Sequence, residues 1–263
     1  MVLDSHKIQQ KERLFYMIDI FVPVYNEGEN IEQLFDEFQK KIKSEFEVLI
    51  VYDFDEDNTL PVIDKIKNNY DFAIRLEKNH YGRGANGAFR TGMESVKHEY
   101  IVFTMADLSD SIETIDCMKE CMDQGYDMVA GSRYMKGGKK EGDTFIKTFL
   151  SKCAGLGMHL LIGIPIHDIS NGFKMYRRNV VESIPLVSDQ GFEVGLELTM
   201  KTYLEGYKIT EVPASWQDRT AGESHFKMWK WLPLYLHWCF YAMGQHWFHG
   251  MPKRMQYVRK ENK

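Results

Sequence analysis

The stretch IDIFVPVYNE, residues 18–27, decides the fold class of this chain. Its first seven residues are mostly β-branched or aromatic, which predicts a buried strand, and Tyr25, Asn26 and Glu27 follow where that strand should end. Runs of similar composition recur at 46–52, 72–76, 100–106 and 127–132. The first half of the chain therefore holds five candidate strands.

Helical periodicity separates these runs. Apolar residues recur at helical spacing in two of the intervening segments, at Ile31, Leu34, Phe35, Phe38 and Ile42 and at Ala85, Ala88, Phe89, Gly92 and Val96. An alternation of strand and helix at this spacing predicts right-handed crossovers and a mostly parallel sheet with helices on both faces. The expected fold class is α/β.

Length and charge narrow the function classes. A chain of 263 residues with 44% hydrophobic residues can bury a sizeable core. Its formal net charge of -5 gives no general attraction to nucleic acid, and its basic residues form no stripe interleaved with aromatic residues, so we expect no nucleic-acid partner.

The compartment is predicted from the N-terminus and the cysteines. The opening residues MVLDSHKIQQKERLFY are charged and lack the apolar core of a signal peptide, so we expect a cytosolic chain. Cys117, Cys121, Cys153 and Cys239 lack zinc-ribbon spacing, which favours free, buried thiols in a reducing compartment.

Polar loops follow three of the predicted strands. Tyr25, Asn26 and Glu27 follow the first strand, the acidic loop 53–57 follows the second, and ADLSD at 106–110 follows the fourth. Any one loop is explained by capping of the next helix. Three such loops at one edge are better explained by a ligand site, because parallel sheets bind ligands at the carboxyl ends of their strands.

The second half of the chain has a different pattern. Residues 147–166 form an apolar, glycine-containing run that suits either a core helix or a helix on a membrane surface, and both alternatives stay open. A helix containing Glu193 and Glu197 and a strand at 208–216 come next. We expect two parts, a main α/β domain over 1–228 and a C-terminal aromatic amphipathic helix with a basic tail over 229–263.

The C-terminal helix is predicted over 231–250, where Trp and Tyr are dense. Leu232, Leu236, Phe240, Met243 and Trp247 share one face, which is typical of a helix lying in a membrane interface. An ordinary capping helix or a contact in a homo-oligomer remains the alternative.

Taken in order, the motifs of this chain resemble those of glycosyltransferase family 2, and within it the polyprenyl-phosphate sugar transferases typified by dolichyl-phosphate mannose synthase. The resemblance covers about 18–226. The motifs that carry it are PVYNE, VYDFDEDNT, GRGANGAFRTG, MADLSD, AGSRYMKGG, DISNGFKMY and RTAGESHF.

The resemblance implies a GT-A fold, a Rossmann-like mostly parallel sheet, that binds a nucleoside diphosphate sugar and transfers the sugar with inversion. The residues that would line the nucleoside pocket are Pro23, Tyr25, Glu27 and Asp53. Asp107 would face the diphosphate, directly or through Mg²⁺ or Mn²⁺, and Arg219 would contact the same phosphates.

On the acceptor side, the resemblance implies that Arg133, Lys147 and Ser151 hold a lipid phosphate. Asp168 matches an acidic residue near the reacting centre, where it would orient a substrate or act as a base towards a hydroxyl. A phosphate acceptor is already an anionic nucleophile and needs no base.

The chain departs from the family pattern at Tyr52, Asn58, His225 and, most importantly, Met105. Met105 replaces one carboxylate of the family's D-x-D pair, and a thioether is a poor ligand for Mg²⁺ or Mn²⁺. Asp107 is then the remaining metal ligand of that motif.

Three functions follow from these residues. The first is an inverting transferase that acts on a polyprenyl phosphate, in the cytoplasm and peripheral to the inner face of the membrane. The second transfers sugar to a saccharide hydroxyl in surface-polysaccharide assembly. The third is a non-catalytic nucleotide-sugar binding protein.

Overall fold

The computed structural model describes residues 17–142, 144–218 and 228–249. Its strands are β1 (Ile18–Val24), β2 (Phe46–Tyr52), β3 (Ala73–Lys78), β4 (Tyr100–Phe103), β5 (Met128–Ser132), β6 (Lys139–Glu141), β7 (Lys174–Arg177), β8 (Ile209–Pro213) and β9 (Ser215–Gln217). Its α-helices are α1 (Ile31–Lys41), α2 (Thr59–Ile66), α3 (Ala85–Glu94), α4 (Thr114–Asp123), α5 (Phe145–Ile162), α6 (Arg178–Ser183), α7 (Glu193–Leu204) and α8 (Met228–His249). Arg219 and the basic tail lie outside the described residues.

Seven strands form the central sheet, in the order β3-β2-β1-β4-β7-β5-β8. All neighbours are parallel except β7, which pairs antiparallel with β4 and β5. A parallel ribbon of β6 and β9 lies beside this sheet. The prediction of a mostly parallel α/β sheet is confirmed, while β7 was missed because its sequence, KMYR, is short and half basic.

Two predicted strands differ from the observed ones. The strand predicted at 100–106 ends at Phe103, because the chain turns there and the Thr104 hydroxyl donates to Asp110 Oδ2. The strand predicted at 208–216 is divided into β8 and β9 at Ala214, whose N–H donates to the Ser132 carbonyl.

The core consists of two apolar layers, one on each face of the sheet. Side chains of β1 enter them alternately, with Phe21 in one layer and Ile20 and Val22 in the other, as the two-residue period of a strand requires. The predicted stripe of α1 is confirmed, since all its apolar residues are buried. On α3, Gly92 allows close packing, because a Cβ there would lie 2.5 Å from the Phe21 ring.

Helices α5, α7 and α8 pack together at one side of the molecule. Trp238 of α8 is buried and donates to the Ser188 hydroxyl, whereas Trp247 is 57% exposed and donates to the Leu161 carbonyl of α5. The α5 helix lies on the surface and is not a core helix. The thiols are free, but Cys117 and Cys153 are exposed, so the expectation of burial was wrong for these two.

A charged network closes the end of the sheet where the strands begin. The fully buried Asp19 accepts hydrogen bonds from the Arg75 guanidinium at 2.9 Å and from the backbone N–H groups of Lys97 and His98. Burial alone would raise the pKa of Asp19, but the hydrogen bonds from the His98 ring and from the backbone N–H groups of His98 and Lys97 lower it below its ordinary value of 3.8. The ionised carboxylate thus stabilises the fold.

We predict that Asp19→Asn lowers the free energy of unfolding by about 3 kcal/mol at pH 7, because it leaves buried donors without their charged acceptor. The contribution of Asp19 is fully present above pH 3.8 and is lost as the pH falls through its lowered pKa. Urea unfolding of both proteins across this range measures it. The matched control is Asp64→Asn, which removes an exposed carboxylate and should change stability by less than about 0.5 kcal/mol. Equal unfolding midpoints for Asp19→Asn and the unsubstituted chain would contradict this assignment.

Candidate active site

The loops after β1 and β2 are joined by the buried Asp57. Its carboxylate accepts hydrogen bonds from the backbone N–H groups of Asn26 at 3.0 Å and Thr59 at 2.9 Å. The Glu27 N–H in turn donates to the Thr59 hydroxyl. These bonds hold Asn26 at a φ of 57°, which turns the chain so that the Tyr25 side chain is 55% exposed.

The exposed Tyr25 belongs to an aromatic shelf. Its ring packs edge-to-face on Phe54 at 5.5 Å, and the guanidinium of Arg83 lies 5.2 Å from the Phe54 ring centre. An aromatic and cationic surface of this kind suits a flat base. Pro23 and Glu27 lie at the same edge, both partly buried, and Glu27 accepts a hydrogen bond from the Asn30 side chain.

Asp53, which follows β2, organises the loop that leads into α3. Its Oδ1 accepts from the Asn79 side chain at 2.7 Å, and its Oδ2 accepts from the Gly84 N–H at 2.9 Å. Gly84 has a φ of 111°, a conformation that glycine adopts without strain. Because each carboxylate oxygen can accept more than one hydrogen bond, Asp53 can also bind a ligand hydroxyl.

Asp107 and Asp110 lie in the loop after β4. Asp107 is buried, and its Oδ1 accepts from the Ser109 N–H at 3.2 Å. Burial and the charge of Asp107 raise the pKa of Asp110 to about 7, although the Thr104 hydroxyl and the Met105 N–H, both of which donate to it, oppose the change. Two carboxyl groups thus share one site, and the charge of Asp107 disfavours ionisation of Asp110.

This loop fits a hard divalent cation. Met105 packs against the apolar core, so the groups that could bind a metal there are the two carboxylates. Mg²⁺ and Mn²⁺ prefer such oxygen ligands, and a cation would offset both the burial of the Asp110 carboxyl group and its repulsion from Asp107, which raise the pKa of Asp110.

Arg133 and Asp168 form a buried, bidentate ion pair. Arg133 Nε and Nη2 donate to the two Asp168 oxygens at 2.6 and 2.9 Å, and the Arg133 backbone N–H donates as well. Burial would raise the pKa of Asp168, but the paired guanidinium lowers it. Asp168 is therefore held as an ionised carboxylate and is a weak base.

Helix α5 is attached to this ion pair. The Arg133 guanidinium also donates to the Ser170 hydroxyl, which lies 2.5 Å from the hydroxyl of Ser151 on α5. Lys147 precedes Ser151 by four residues, and therefore lies on the same face of the helix. The structure thus brings together the candidate acceptor residues at one end of α5.

Gly155 lets α5 approach the loop that carries Asp168. A Cβ on Gly155 would lie 1.8 Å from the carbonyl oxygen of His167, so the helix backbone touches the chain next to Asp168. Gly157, two residues further along the same helix, has open space around its Cβ position.

The Asp107–Asp110 loop and the Arg133–Asp168 pair lie close enough for their charges to interact. The charges of Asp110 and Arg133 act on each other, so that Arg133 lowers the pKa of Asp110. Strand β9 spans the same region, since the Gln217 N–H donates to the Ser109 carbonyl and the Ser111 N–H to the Ser215 carbonyl. This strand ends just before Arg219 in the sequence, although Arg219 itself lies outside the described residues.

Sequence reasoning missed several residues of this site. Phe54 and Arg83 lie inside the motifs VYDFDEDNT and GRGANGAFRTG, but the motifs assigned them no role. Asp110 lies in the ADLSD loop that the sequence singled out, but its raised pKa arises only in the fold, from burial and from the charge of Asp107. Glu193 and Glu197 of α7, to which the sequence assigned no role, are both buried. Both accept hydrogen bonds from backbone N–H groups of the loop before α7.

A second acidic group lies far from this site. Asp19, Glu47 and His98 have potential ligand atoms within 4.8 Å of one another. They lie where the strands begin, about 20 Å along β1 from the polar loops. Arg75 donates to both carboxylates, which makes this group an ion-pair network and a poor site for a cation.

The fold and the polar edge define a class of protein, an α/β protein of the GT-A type with ligand-binding loops at the carboxyl ends of β1, β2 and β4. The chain belongs to glycosyl transferase family 2, whose model matches residues 19–184. The family predicted from the sequence motifs is confirmed.

Two relatives cover most of the chain. It is 30% identical over 215 residues to a dolichol-phosphate mannosyltransferase of Pyrococcus furiosus, a match that covers 80% of this chain and 59% of the relative. It is 28% identical over 210 residues to a polyprenol monophosphomannose synthase of Mycolicibacterium smegmatis, with 78% and 79% covered. The chain thus spans about three fifths of the length of the archaeal relative.

Solved structures show the same fold. Glucosyl-3-phosphoglycerate synthase of Mycobacterium tuberculosis, in complex with Mn²⁺, UDP-glucose and phosphoglyceric acid, superposes with a TM-score of 0.64 and 14% identity over 87% of this chain and 80% of that chain. The complex of that enzyme with UDP alone gives a TM-score of 0.63 at 15% identity, with the same coverage. At this identity the likeness concerns the fold.

We predict that Gly155→Ala moves α5 away from the Asp168 loop and lowers stability by about 1–3 kcal/mol, because its Cβ would collide with the His167 carbonyl. Thermal unfolding and sugar transfer are measured together. The matched control is Gly157→Ala on the same helix, which should be neutral or stabilising by up to about 1 kcal/mol. If the two variants behave alike, the close contact at Gly155 is not important.

Proposed function

We propose that this protein is an inverting glycosyltransferase that moves a sugar from a nucleoside diphosphate sugar to a polyprenyl phosphate. The observation that carries the proposal is the buried ion pair of Arg133 and Asp168 beside the Asp107 loop. It supports an anion-binding acceptor site next to a diphosphate site. The relatives' names, which combine a polyprenol or dolichol phosphate with mannose, support the same substrates.

On the donor side, Tyr25, Phe54 and Arg83 would contact the base, and Asp53 would accept hydrogen bonds from the base or the ribose. Pro23 and Glu27 would complete the pocket wall. Asp107 would face the diphosphate through Mg²⁺ or Mn²⁺, and a bound cation would neutralise charge on the leaving nucleoside diphosphate. Arg219 is proposed to contact the same phosphates on sequence grounds alone.

On the acceptor side, Arg133, Lys147 and Ser151 would hold the lipid phosphate. One of its oxygens attacks the anomeric carbon, the bond from that carbon to the diphosphate oxygen breaks, and the nucleoside diphosphate leaves with the electron pair. The lowered pKa of Asp168 supports a phosphate acceptor, because a carboxylate bound to arginine is poorly suited to take a proton from a hydroxyl. Asp168 would instead fix the position of the Arg133 guanidinium.

A second candidate function rests on Asp110. Where Asp107 alone holds the cation, Asp110 is a carboxyl group with a pKa of about 7, which is suited to the general-base catalysis that an acceptor hydroxyl would require. Transfer to a saccharide hydroxyl therefore remains the alternative, with Asp110 as the base.

The apolar surface of α5 and α8 supports a membrane partner. We name the exposed apolar residues of these two helices the apolar face; they are Phe145, Ile146, Phe149, Leu156, Leu160 and Leu161 of α5 and Leu236, Phe240, Trp247 and Phe248 of α8. Among the described residues, one helix, α5, is both long enough and apolar enough to cross a membrane. Length and composition by themselves are weak evidence for a membrane span. It carries Lys147 and Lys152, which favour a helix lying on the surface of the membrane over one crossing it.

This arrangement would present the end of α5 to lipid headgroups, where a polyprenyl phosphate has its charged group. The proposed location is the cytoplasmic side of the membrane. A second copy of the chain is the other possible occupant of the apolar face.

A transfer assay tests the proposal. The purified protein is incubated with radiolabelled nucleoside diphosphate mannose, and then with other sugars, in the presence of polyprenyl phosphate or membranes, with Mn²⁺ or with EDTA. Label in the lipid extract supports the proposal, and label only in polysaccharide supports the alternative. Neither transfer nor hydrolysis with any donor would favour a non-catalytic binding protein.

We predict that Asp107→Asn abolishes transfer, with a loss of about a hundredfold or more, because it removes a carboxylate that faces the diphosphate. Steady-state rates with saturating donor and acceptor measure the loss. The matched control is Asp55→Asn, an exposed carboxylate of a neighbouring loop that pairs with Lys78, and it should retain its activity. Full activity of Asp107→Asn would show that the assignment is wrong.

We predict that the double variant Phe145→Ser, Leu160→Ser binds lipid vesicles at least tenfold more weakly, because each apolar side chain contributes about 1.5–3 kcal/mol on burial. Both residues are more than 70% exposed, so thermal stability should be unchanged. Cosedimentation with vesicles of mixed anionic and neutral lipid is the measurement. The control is Leu76→Ser, which replaces an exposed apolar residue of edge strand β3, outside the apolar face. Unchanged vesicle binding together with a dimeric mass in solution would instead assign the apolar face to a second copy.

A further inference from the structure

A buried lysine contacts the loop that carries Asp168 of the acceptor-side ion pair. Lys174, the first residue of β7, is 1% exposed. Its ammonium donates to the carbonyl of Ile169 at 3.1 Å and to the carbonyl of Asn171. Both carbonyls belong to the loop that carries Asp168, so Lys174 fixes the backbone of that loop.

The charges of Arg133, Asp168 and Lys174 do not cancel. Arg133 and Asp168 neutralise one another in their bidentate pair. Lys174 lies close enough for its charge to act on Asp168, and the ammonium leaves the group of three residues with one net positive charge. A fully buried lysine is uncommon, since removal of the ammonium from water is costly. Carbonyl contacts alone would be satisfied by a neutral donor.

We propose that Lys174 is a positioning residue for the acceptor, whose buried positive charge stabilises the acceptor phosphate at Arg133 and offsets its repulsion from the donor diphosphate. The inference rests on the proposed function, because it takes the acceptor to be an anion. A charge beneath a partly dehydrated site acts strongly on a bound anion, since it is poorly screened by water. Lys174 need not touch the phosphate to have this effect.

The lowered pKa of Lys174 makes its charge depend on pH, which allows the proposed role of this charge to be tested. Burial lowers the pKa of Lys174 to about 8, with Asp168 opposing this change and Arg133 adding to it. Its neighbours across the sheet, Phe103 and Ala130, are uncharged. Lys174 is thus charged below about pH 8 and neutral above it. Arg133, whose pKa is raised, and Asp168, whose pKa is lowered, keep their charges through this range.

The test compares Lys174→Gln with the unsubstituted protein. Glutamine keeps a donor for the loop carbonyls and removes the charge. The acceptor is farnesyl phosphate in detergent micelles. The kcat/KM for the acceptor and for the donor is measured from pH 6.5 to 9.5, a range that extends roughly 1.5 pH units on either side of the lowered pKa of Lys174. For the unsubstituted protein we expect acceptor kcat/KM to fall as the pH rises through about 8.

For Lys174→Gln we expect acceptor kcat/KM at pH 7 to be reduced by roughly tenfold to a hundredfold, through a higher acceptor KM, with the fall near pH 8 absent. The donor KM should stay within about twofold, because the donor is bound by other loops. Lys174→Arg, whose charge does not titrate in this range, should restore part of the acceptor affinity and also lack the fall. Thermal unfolding of each variant confirms that it is folded.

The control is Lys119→Met, which removes a lysine of α4 that pairs with Asp123 and should leave both the acceptor KM and the pH profile unchanged. A folded Lys174→Gln with an unaltered acceptor KM and pH profile would overturn the inference, while lipid-phosphate transfer by the unsubstituted protein would keep the proposed function. If the unsubstituted protein transfers no sugar to a lipid phosphate, both are overturned. A loss of kcat with unchanged acceptor KM would also contradict the role in acceptor binding.

Discussion

The buried ion pair between Arg133 and Asp168 is the interaction on which the proposed acceptor side of this protein depends. A buried pair is costly to dehydrate and persists only where its remaining hydrogen-bonding capacity is satisfied. Here the Asp168 carboxylate also accepts from the Arg133 and Asn171 backbone N–H groups and from the Ser170 hydroxyl. The pair therefore adds little net stability, but it fixes one orientation of the guanidinium and, through Ser170 and Ser151, joins α5 to the sheet.

The direction of β7 explains why this pair can form. A strand that runs antiparallel to β4 and β5 begins at the edge where they end, as the pairing of Phe103 with Lys174 requires. The loop before β7 therefore delivers Asp168 to the carboxyl edge, beside Arg133 at the end of β5. A parallel strand in this position would have carried the same loop to the opposite edge, where Asp19 and Arg75 form their own network. One reversed strand thus brings a second set of polar groups to the edge that already holds the loops of β1, β2 and β4.

The sequence predicted those parts of the molecule that depend on local pattern. Composition and helical spacing, which a single segment displays, predict the strands at 18–24 and 46–52 and the apolar stripe of α1. It did not predict β7, because the burial of Lys174 depends on carbonyl groups of a folded loop. Nor does any local pattern pair Arg133 with Asp168 across 35 residues. The raised pKa of Asp110 likewise arises only when β9 and the Asp107 loop close around it.

The two sides of the site form one electrostatic unit. Asp107 raises the pKa of Asp110 and Arg133 lowers it, while Lys174 acts on the Arg133–Asp168 pair from beneath. Met105 removes one negative charge from this unit relative to a loop with a carboxylate at that position, and its thioether packs into the core. The charges of Asp107 and Asp110 are therefore offset by nearby cations, among them Arg133, to a greater extent than they would be with a third carboxylate in the loop. Because these groups share partners, the effects of substitutions at Asp110, Arg133 and Lys174 should not add, and a double-mutant cycle between any two of them measures their coupling.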